Sequence, residues 1–221
     1  MNIDNMLLPQ AGSDEVGTGD TFGPIVVVCS IVDHKNIQEI EYLNIKDSKD
    51  LNDEQILKIA PELMKKIKYS YRILNNNEYN IMHLNNNLNK IKAILHNEVY
   101  LELKNKNILP KTCIVDAFCS EKNYYDYLKD QNDIYDNLIL ETKAENKYIS
   151  VAVASIMARY IFIREFDKLK DKYNIDFKKG SSNPLLNNNL NDFIDKYGLD
   201  ELKNVAKLNF KNVNEVINKN K

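Results

Sequence analysis

Residues 25–32 read IVVVCSIV, a β-branched apolar run without polar alternation. A run of this length, bounded by turn residues, reads as a strand buried in a protein interior. Just before it, residues 11–24 read AGSDEVGTGDTFGP, punctuated by glycines and closed by Pro24. This predicts a strand ending near Asp14–Val16, a tight turn at Gly17–Gly19 and a second strand after Pro24.

Farther along the chain the period changes. Asn52 followed by Gln55 has capping-box spacing, which starts a helix at Asp53 and carries it to about Lys66. Tyr69 to Leu74 alternates as a strand. A long helix is expected from about Leu88 to Lys106, stopped by Pro110. Thr112–Val115 forms a short apolar strand ending at Asp116. Tyr124–Leu128 reads as helical, and Leu138–Leu140 leads a strand toward Glu141. The strongest helical signal runs from about Tyr148 to Lys172, with small residues Ala152, Ser155 and Ala158 suited to close packing on a sheet. Residues 188–204 suggest one or two short helices, with Gly198 as a stop. Strands first, then strands mixed with helices, indicate a layered α/β or α+β domain. We expect a short lead over residues 1–10 and one domain over 11–221, with no internal repeat.

Composition excludes several classes. Three cysteines at irregular spacing make neither a disulfide framework nor a zinc site, and buried free thiols fit a reducing, cytoplasmic setting. The N-terminus lacks a basic segment followed by a long apolar stretch, and no apolar run approaches the roughly 20 residues that span a bilayer. The net charge of −2 counts mildly against a nucleic-acid partner but leaves room for a local basic face. Asparagine runs such as Asn75–Asn77 and Asn85–Asn87 read as compositional drift.

Four carboxylates stand out by context. Asp14 and Glu15 lie at a strand end before glycines, Asp116 at the end of another strand, and Glu145 in KAEN just before the longest helix. Strand ends and helix starts can converge on one rim of a sheet. Clustered carboxylates repel and resist ionisation, and hard cations such as Mg²⁺ or Mn²⁺ relieve the repulsion. Two such ions can hold a phosphodiester and stabilise its leaving oxygen. Taken singly, each residue also has a plainer reading. Asp14 suits a turn, Asp116 a surface turn or helix cap, and Glu145 a solvated helix start.

The order of motifs goes further. GSDEVGTGDTFGP (12–24) closely resembles the opening motif of the ribonuclease HIII family, within the type 2 ribonuclease H superfamily. The resemblance continues through KDSKDL (46–51), NLNKIKAILHN (87–97), VDAF (115–118), KAENKYISVAVASIMARY (143–160) and VAKLNF (205–210). It implies an RNase H-like fold, a central mixed β-sheet flanked by helices, with C-terminal helices. It also implies a catalytic metal site of Asp14, Glu15, Asp116 and Glu145, with two Mg²⁺ or Mn²⁺ ions during catalysis. The implied activity is endonucleolytic hydrolysis of the RNA strand of RNA–DNA hybrids, leaving 5′-phosphate and 3′-hydroxyl ends. Glu145, where type 2 enzymes typically have Asp, and Thr18, where they usually have Arg, favour type 3.

Such an enzyme must touch the 2′-hydroxyl to tell RNA from DNA. Gly17, Thr18 and Gly19 suit a close backbone approach to a ribose; the plain alternative is a tight turn with no ligand. Ser48 and Lys49 are candidates for gripping phosphate, or else belong to a solvated loop. Lys143 and Lys147 flank Glu145, and Lys90, Lys92 and His96 could extend a basic track, although spaced lysines on a helix more often form a solvated face. Arg159 and Arg164 read as structural. The resemblance covers the catalytic part alone: about ten residues precede the motif, where the family usually carries a substrate-binding domain. Weak, salt-sensitive binding is therefore expected. Asn209 stands where the family tends to have His, and Gly180-Ser181-Ser182 replaces a richer glycine stretch. A monomer without membrane contact is expected. Competing readings are nicking at single ribonucleotides in DNA, a catalytically inactive nucleic-acid-binding module, and a DNA-junction nuclease.

Overall fold

The computed structural model describes residues 7–43, 45 and 51–219. Five strands form one mixed sheet: β1 (Gln10–Val16), β2 (Ile25–Val32), β3 (Lys68–Leu74), β4 (Thr112–Asp116) and β5 (Ile139–Glu141). Their spatial order is β3-β2-β1-β4-β5. All eight residues of β2 are buried, as their unbroken apolar character requires. β1 pairs in parallel with β4, Gln10 opposite Thr112 and Ser13 opposite Val115. β4 pairs in parallel with β5, Asp116 opposite Glu141.

The helices are α1 (His34–Ile40), α2 (Asp53–Lys66), α3 (Asn76–His83), α4 (Leu88–Asn105), α5 (Glu121–Leu128), α6 (Ile149–Tyr173), α7 (Leu186–Tyr197) and α8 (Lys211–Lys219). The capping box expected at α2 forms: Asn52 Oδ1 accepts from Gln55 N at 3.0 Å, and Gln55 Oε1 accepts from Asn52 N at 2.8 Å. Gly198 ends α7 with φ 83°, a left-handed value that suits glycine. Three helices went unforeseen. α1 and α3 are short, and both begin with capping boxes, from Asp33 and Asn75. Asn75, read as drift, is therefore a helix cap. α8 is a short C-terminal helix of nine residues. β1 also starts within the expected lead, where Gln10 is buried.

The described residues divide into two compact units. Of the described residues, the first draws on 7–15, 26–43, 45, 51–72 and 88–160, the second on 16–25, 73–87 and 161–219. In the first, the start of α6 lies directly on β1. A Cβ on Gly12 would come within 2.5 Å of Ser150 Oγ and Val151 N, so only glycine fits there. Polar groups at this seam are satisfied internally: Ser150 Oγ donates to Gln10 Oε1 at 2.9 Å, and Ser30 Oγ donates to Ser150 O at 2.7 Å.

The second unit is built on aromatic rings and one buried cation. Phe22 packs on Phe177 with ring centres 4.6 Å apart, and Phe193 touches both Phe177 and Tyr173. Lys207, fully buried, donates to Asp20 O and Gly23 O, each at 2.7 Å. Its backbone N donates to Thr21 O at 2.9 Å, and Gly23 N donates to Val205 O. The segment after β1 is thus fixed from the C-terminal side. Burial pushes the Lys207 amine down to about 7, with Asp20 opposing the shift.

Lys207→Met keeps the side-chain length but strips two buried carbonyls of their donor. The expected loss is about 2–4 kcal/mol of unfolding free energy in a urea titration. An unchanged midpoint would show that the segment is held by other contacts.

Candidate active site

The parallel register of β1 and β4 decides the geometry. Ser13 lies opposite Val115, so the next residue on each strand, Asp14 and Asp116, stand side by side at adjoining strand ends. Asp116 Oδ1 accepts from Ala144 N at 2.9 Å. This anchors the turn at Ala144–Asn146, on which Glu145 is buried. Glu145 lies close enough to Asp116 for the two carboxyl groups to oppose each other's ionisation. Lys143, just before the turn, has φ 55° and an exposed side chain.

The electrostatics follow from this crowding. Burial, then the charge of Glu15 and that of Asp116, push Asp14 up to about 7, while hydrogen bonds from Ser155 and from Glu15 N oppose the shift. Burial also raises Asp116; Ala144 N–H resists, and Glu145 adds to the rise. Near neutral pH Asp14 thus still holds part of a proton that an ordinary carboxylate would have lost.

Glu15 behaves differently, because neighbours along a strand face opposite ways. Ser13 and Glu15 face α4, whereas Asp14 meets Ser155 of α6. Glu15 Oε1 accepts from Lys92 Nζ at 2.9 Å, and Oε2 lies 2.9 Å from His96 Nε2. His96 Nδ1 lies 2.7 Å from Ser13 Oγ, so one neutral tautomer donates to Glu15 and accepts from Ser13. Burial alone would raise Glu15, but His96 and Lys92 outweigh it and hold the carboxyl below its usual range.

The plain alternative, a solvated face, does not hold for Lys92 and His96, which lie beside the acidic centre. Lys92 and His96 are buried against Glu15, and Lys90 pairs with Asp130 at 2.6 Å. Lys147 is bound to Glu141. Arg159 is structural as expected, bonding Asp53 at 2.7 Å and Leu51 O. Ser48 and Lys49 lie outside the described residues. Gly17 and Gly23 have positive φ, and a Cβ on Gly17 would meet Pro24 O at 2.1 Å. Gly19 differs: a Cβ there would meet nothing within 4 Å. Sequence reasoning missed Lys207, which lies outside regular structure where no periodicity marks it as buried.

Among the described residues no three His, Cys, Asp or Glu side chains are arranged around one point as a cation site. With both oxygens of Glu15 turned to Lys92 and His96, the four carboxylates are neighbours without being a closed ligand shell. The donor set nevertheless fits a hard cation. It is all carboxylate oxygen, and it holds a proton that a divalent ion would replace.

The family model described as Ribonuclease HII matches residues 11–213. The chain belongs to the ribonuclease HII family. Ribonuclease HIII of Phytoplasma mali is 46% identical over 215 residues, covering 95% of this chain and 73% of its own length. Among solved structures, Bst-RNase HIII in complex with Mn²⁺ is 37% identical with a TM-score of 0.91, covering 97% of this chain and 70% of that one. Ribonuclease H2 from Pyrococcus horikoshii OT3 is 27% identical with a TM-score of 0.79, covering 96% of this chain and 98% of that one. The RNase H-like fold expected from the motifs is thus the fold observed, and its neighbours are ribonucleases H of types 2 and 3.

For a ribonuclease HII family member the Asp14 shift has a measurable sign. Its folded pKa lies above its unfolded value, so the native state binds the extra proton and stability falls as pH rises from about 4 to about 7. Asp14→Asn should remove that slope. In metal-free buffer at pH 8 it should raise the melting midpoint by at least about 2–4 °C, corresponding to roughly 1 kcal/mol. A lower midpoint for the variant across this pH range would contradict the buried-charge account.

Proposed function

We propose that this chain is a divalent-metal-dependent endoribonuclease that hydrolyses the RNA strand of RNA–DNA hybrids, leaving 5′-phosphate and 3′-hydroxyl ends. The observation that carries this reading is the apposition of Asp14, Asp116 and Glu145 by two parallel strand ends and one anchored turn, in a member of the ribonuclease HII family. The retention of all four motif carboxylates argues against an inactive binding module. We place it as a cytoplasmic monomer, in keeping with three free cysteines.

Asp14, Asp116 and Glu145 would hold the cations, and Glu15 would complete the set. Bound Mg²⁺ or Mn²⁺ supplies charge stabilisation at the phosphate and acidifies water. The chain's own groups keep the ligands in place: Ala144 N–H orients Asp116, Ser155 and Glu15 N orient Asp14, and His96 and Lys92 orient Glu15. Asp14 would have to give up its proton to hold a cation, so metal affinity should rise with pH up to about 7. Backbone groups of Gly17, Thr18 and Gly19 contact the 2′-hydroxyl; this loop follows Glu15 in the chain after Val16 alone. The open space around Gly19 supports that role, since among the described residues nothing lies within 4 Å of where its Cβ would be. Lys143 is exposed for a phosphate contact, and Ser48 and Lys49 are proposed for another.

The test is digestion of an end-labelled RNA–DNA hybrid across a Mg²⁺ and Mn²⁺ titration, with an all-DNA duplex as control. Cleavage should need metal and spare the control, and Asp14→Asn should lose more than about a hundredfold in rate. A variant with full activity, or equal cutting of the all-DNA duplex, would overturn the assignment.

The two glycines separate structure from recognition. Gly17→Ala should destabilise the fold, because a methyl group collides with Pro24 O in a left-handed backbone. Gly19→Ala should leave thermal stability unchanged yet raise KM for the hybrid several-fold. An unaltered KM for Gly19→Ala would remove this loop from substrate recognition.

A further inference from the structure

Both oxygens of Glu15 are taken by basic groups of the protein: Lys92 Nζ at 2.9 Å from Oε1, and His96 Nε2 at 2.9 Å from Oε2. The pair is nearly closed to solvent, with side-chain exposure of 10% for Lys92 and 12% for Glu15. The ammonium group is held on a second side as well. It sits 4.0 Å from the centre of the Phe118 ring, two residues beyond Asp116, while Ser13 fixes the far side of His96. A divalent cation ligated by Glu15 must displace this ammonium or share the carboxylate with it, and it meets a full positive charge in either case.

We propose that Lys92 is a positioning residue that competes with divalent metal for Glu15, holding one cation position weak until a substrate phosphate adds negative charge. The inference rests on the metal-dependent reading of the site. Its chemistry is specific: Lys92 acts as a tethered internal counter-ion, and His96 holds the other oxygen so that the carboxylate keeps its orientation when the ammonium lets go. If Lys92 only anchored α4 to β1 and Glu15 took no part in holding metal, removing the ammonium would change stability and leave metal affinity as it was. The two roles therefore predict different outcomes: tighter metal binding without the charge in the first case, and no change in the second.

The experiment is a Mn²⁺ titration of the full chain without nucleic acid, counting free aqueous Mn²⁺ by electron paramagnetic resonance. It compares the wild type with Lys92→Met, Lys92→Arg and Glu15→Gln, with melting curves for each. Lys92→Met should bind Mn²⁺ at least about tenfold more tightly, because a charge a few ångströms from the ion is removed. Its kcat on the hybrid should fall while its Mn²⁺ affinity rises. Lys92→Arg keeps the charge and should stay near the wild type, and Glu15→Gln should bind more weakly. If the methionine variant does not fold, Lys92→Gln carries the same expected tightening. Folded Lys92→Met binding Mn²⁺ no more tightly than the wild type would overturn the proposal and leave the metal-dependent reading standing. Failure of the wild type to bind Mn²⁺ saturably would overturn that reading, and this inference with it.

Discussion

Two parallel strands that end in acid impose the problem the rest of the site answers. Backbone hydrogen bonding fixes the β1–β4 register, and that register sets Asp14 beside Asp116 whether or not their charges are compatible. The turn anchored on Asp116 then adds Glu145 to the same place. The chain cannot separate these groups without breaking ladder bonds, so only a proton or a cation can relieve the repulsion. Asp14, held at about 7, shows how close the protonated and ionised states lie near neutral pH. A site so balanced can change its charge near neutral pH at little energetic cost.

The fourth carboxylate is handled differently because a strand alternates. Glu15 follows Asp14 directly, yet it projects to the other face and meets α4 rather than α6. Lys92 and His96 let it stay ionised in a buried place where Asp14 resists ionisation. Adjacent residues of the same chemical kind thus carry opposite electrostatic burdens, set by the faces of one strand. Motif matching alone treats them as equivalent ligands.

How much of this was legible in the sequence depends on whether local pattern or tertiary pairing decides the point. The β2 run, the capping box at Asn52 and the long α6 signal are local, and each marks an element observed in the fold. α3 was hidden because Asn75 looks like one of many asparagines; its capping role shows only when Glu78 returns the hydrogen bond. Spacing left Lys92 and His96 open between a basic track and a wet face; α4 is buried almost all round from Ile91 to Asn97, so they belong to an internal network on Glu15. The proximity of the carboxylates was inferred from motif order. Their division into a crowded trio and a counter-ion pair depends on register and strand faces, which no linear spacing reveals.

The same distinction explains why departures from the family pattern need not damage the second unit. Its segment from Asp20 to Gly23 is held mainly through main-chain groups: Lys207 binds two carbonyls, Thr21 N donates to Gly180 O, and Asp20 accepts from Gly180 N at 2.6 Å. Such contacts tolerate side-chain change around them. Ser181 and Ser182 can follow Gly180 without disturbing bonds made by its backbone. Asn209 stands where the family tends to have His, and here its Oδ1 accepts from Tyr79 OH at 3.1 Å. What this environment asks of the position is an acceptor for a tyrosine hydroxyl, and an amide oxygen meets that demand as well as an imidazole nitrogen. Lys207 has no such freedom, because a buried ammonium spanning two carbonyls is matched in charge, length and donor count together.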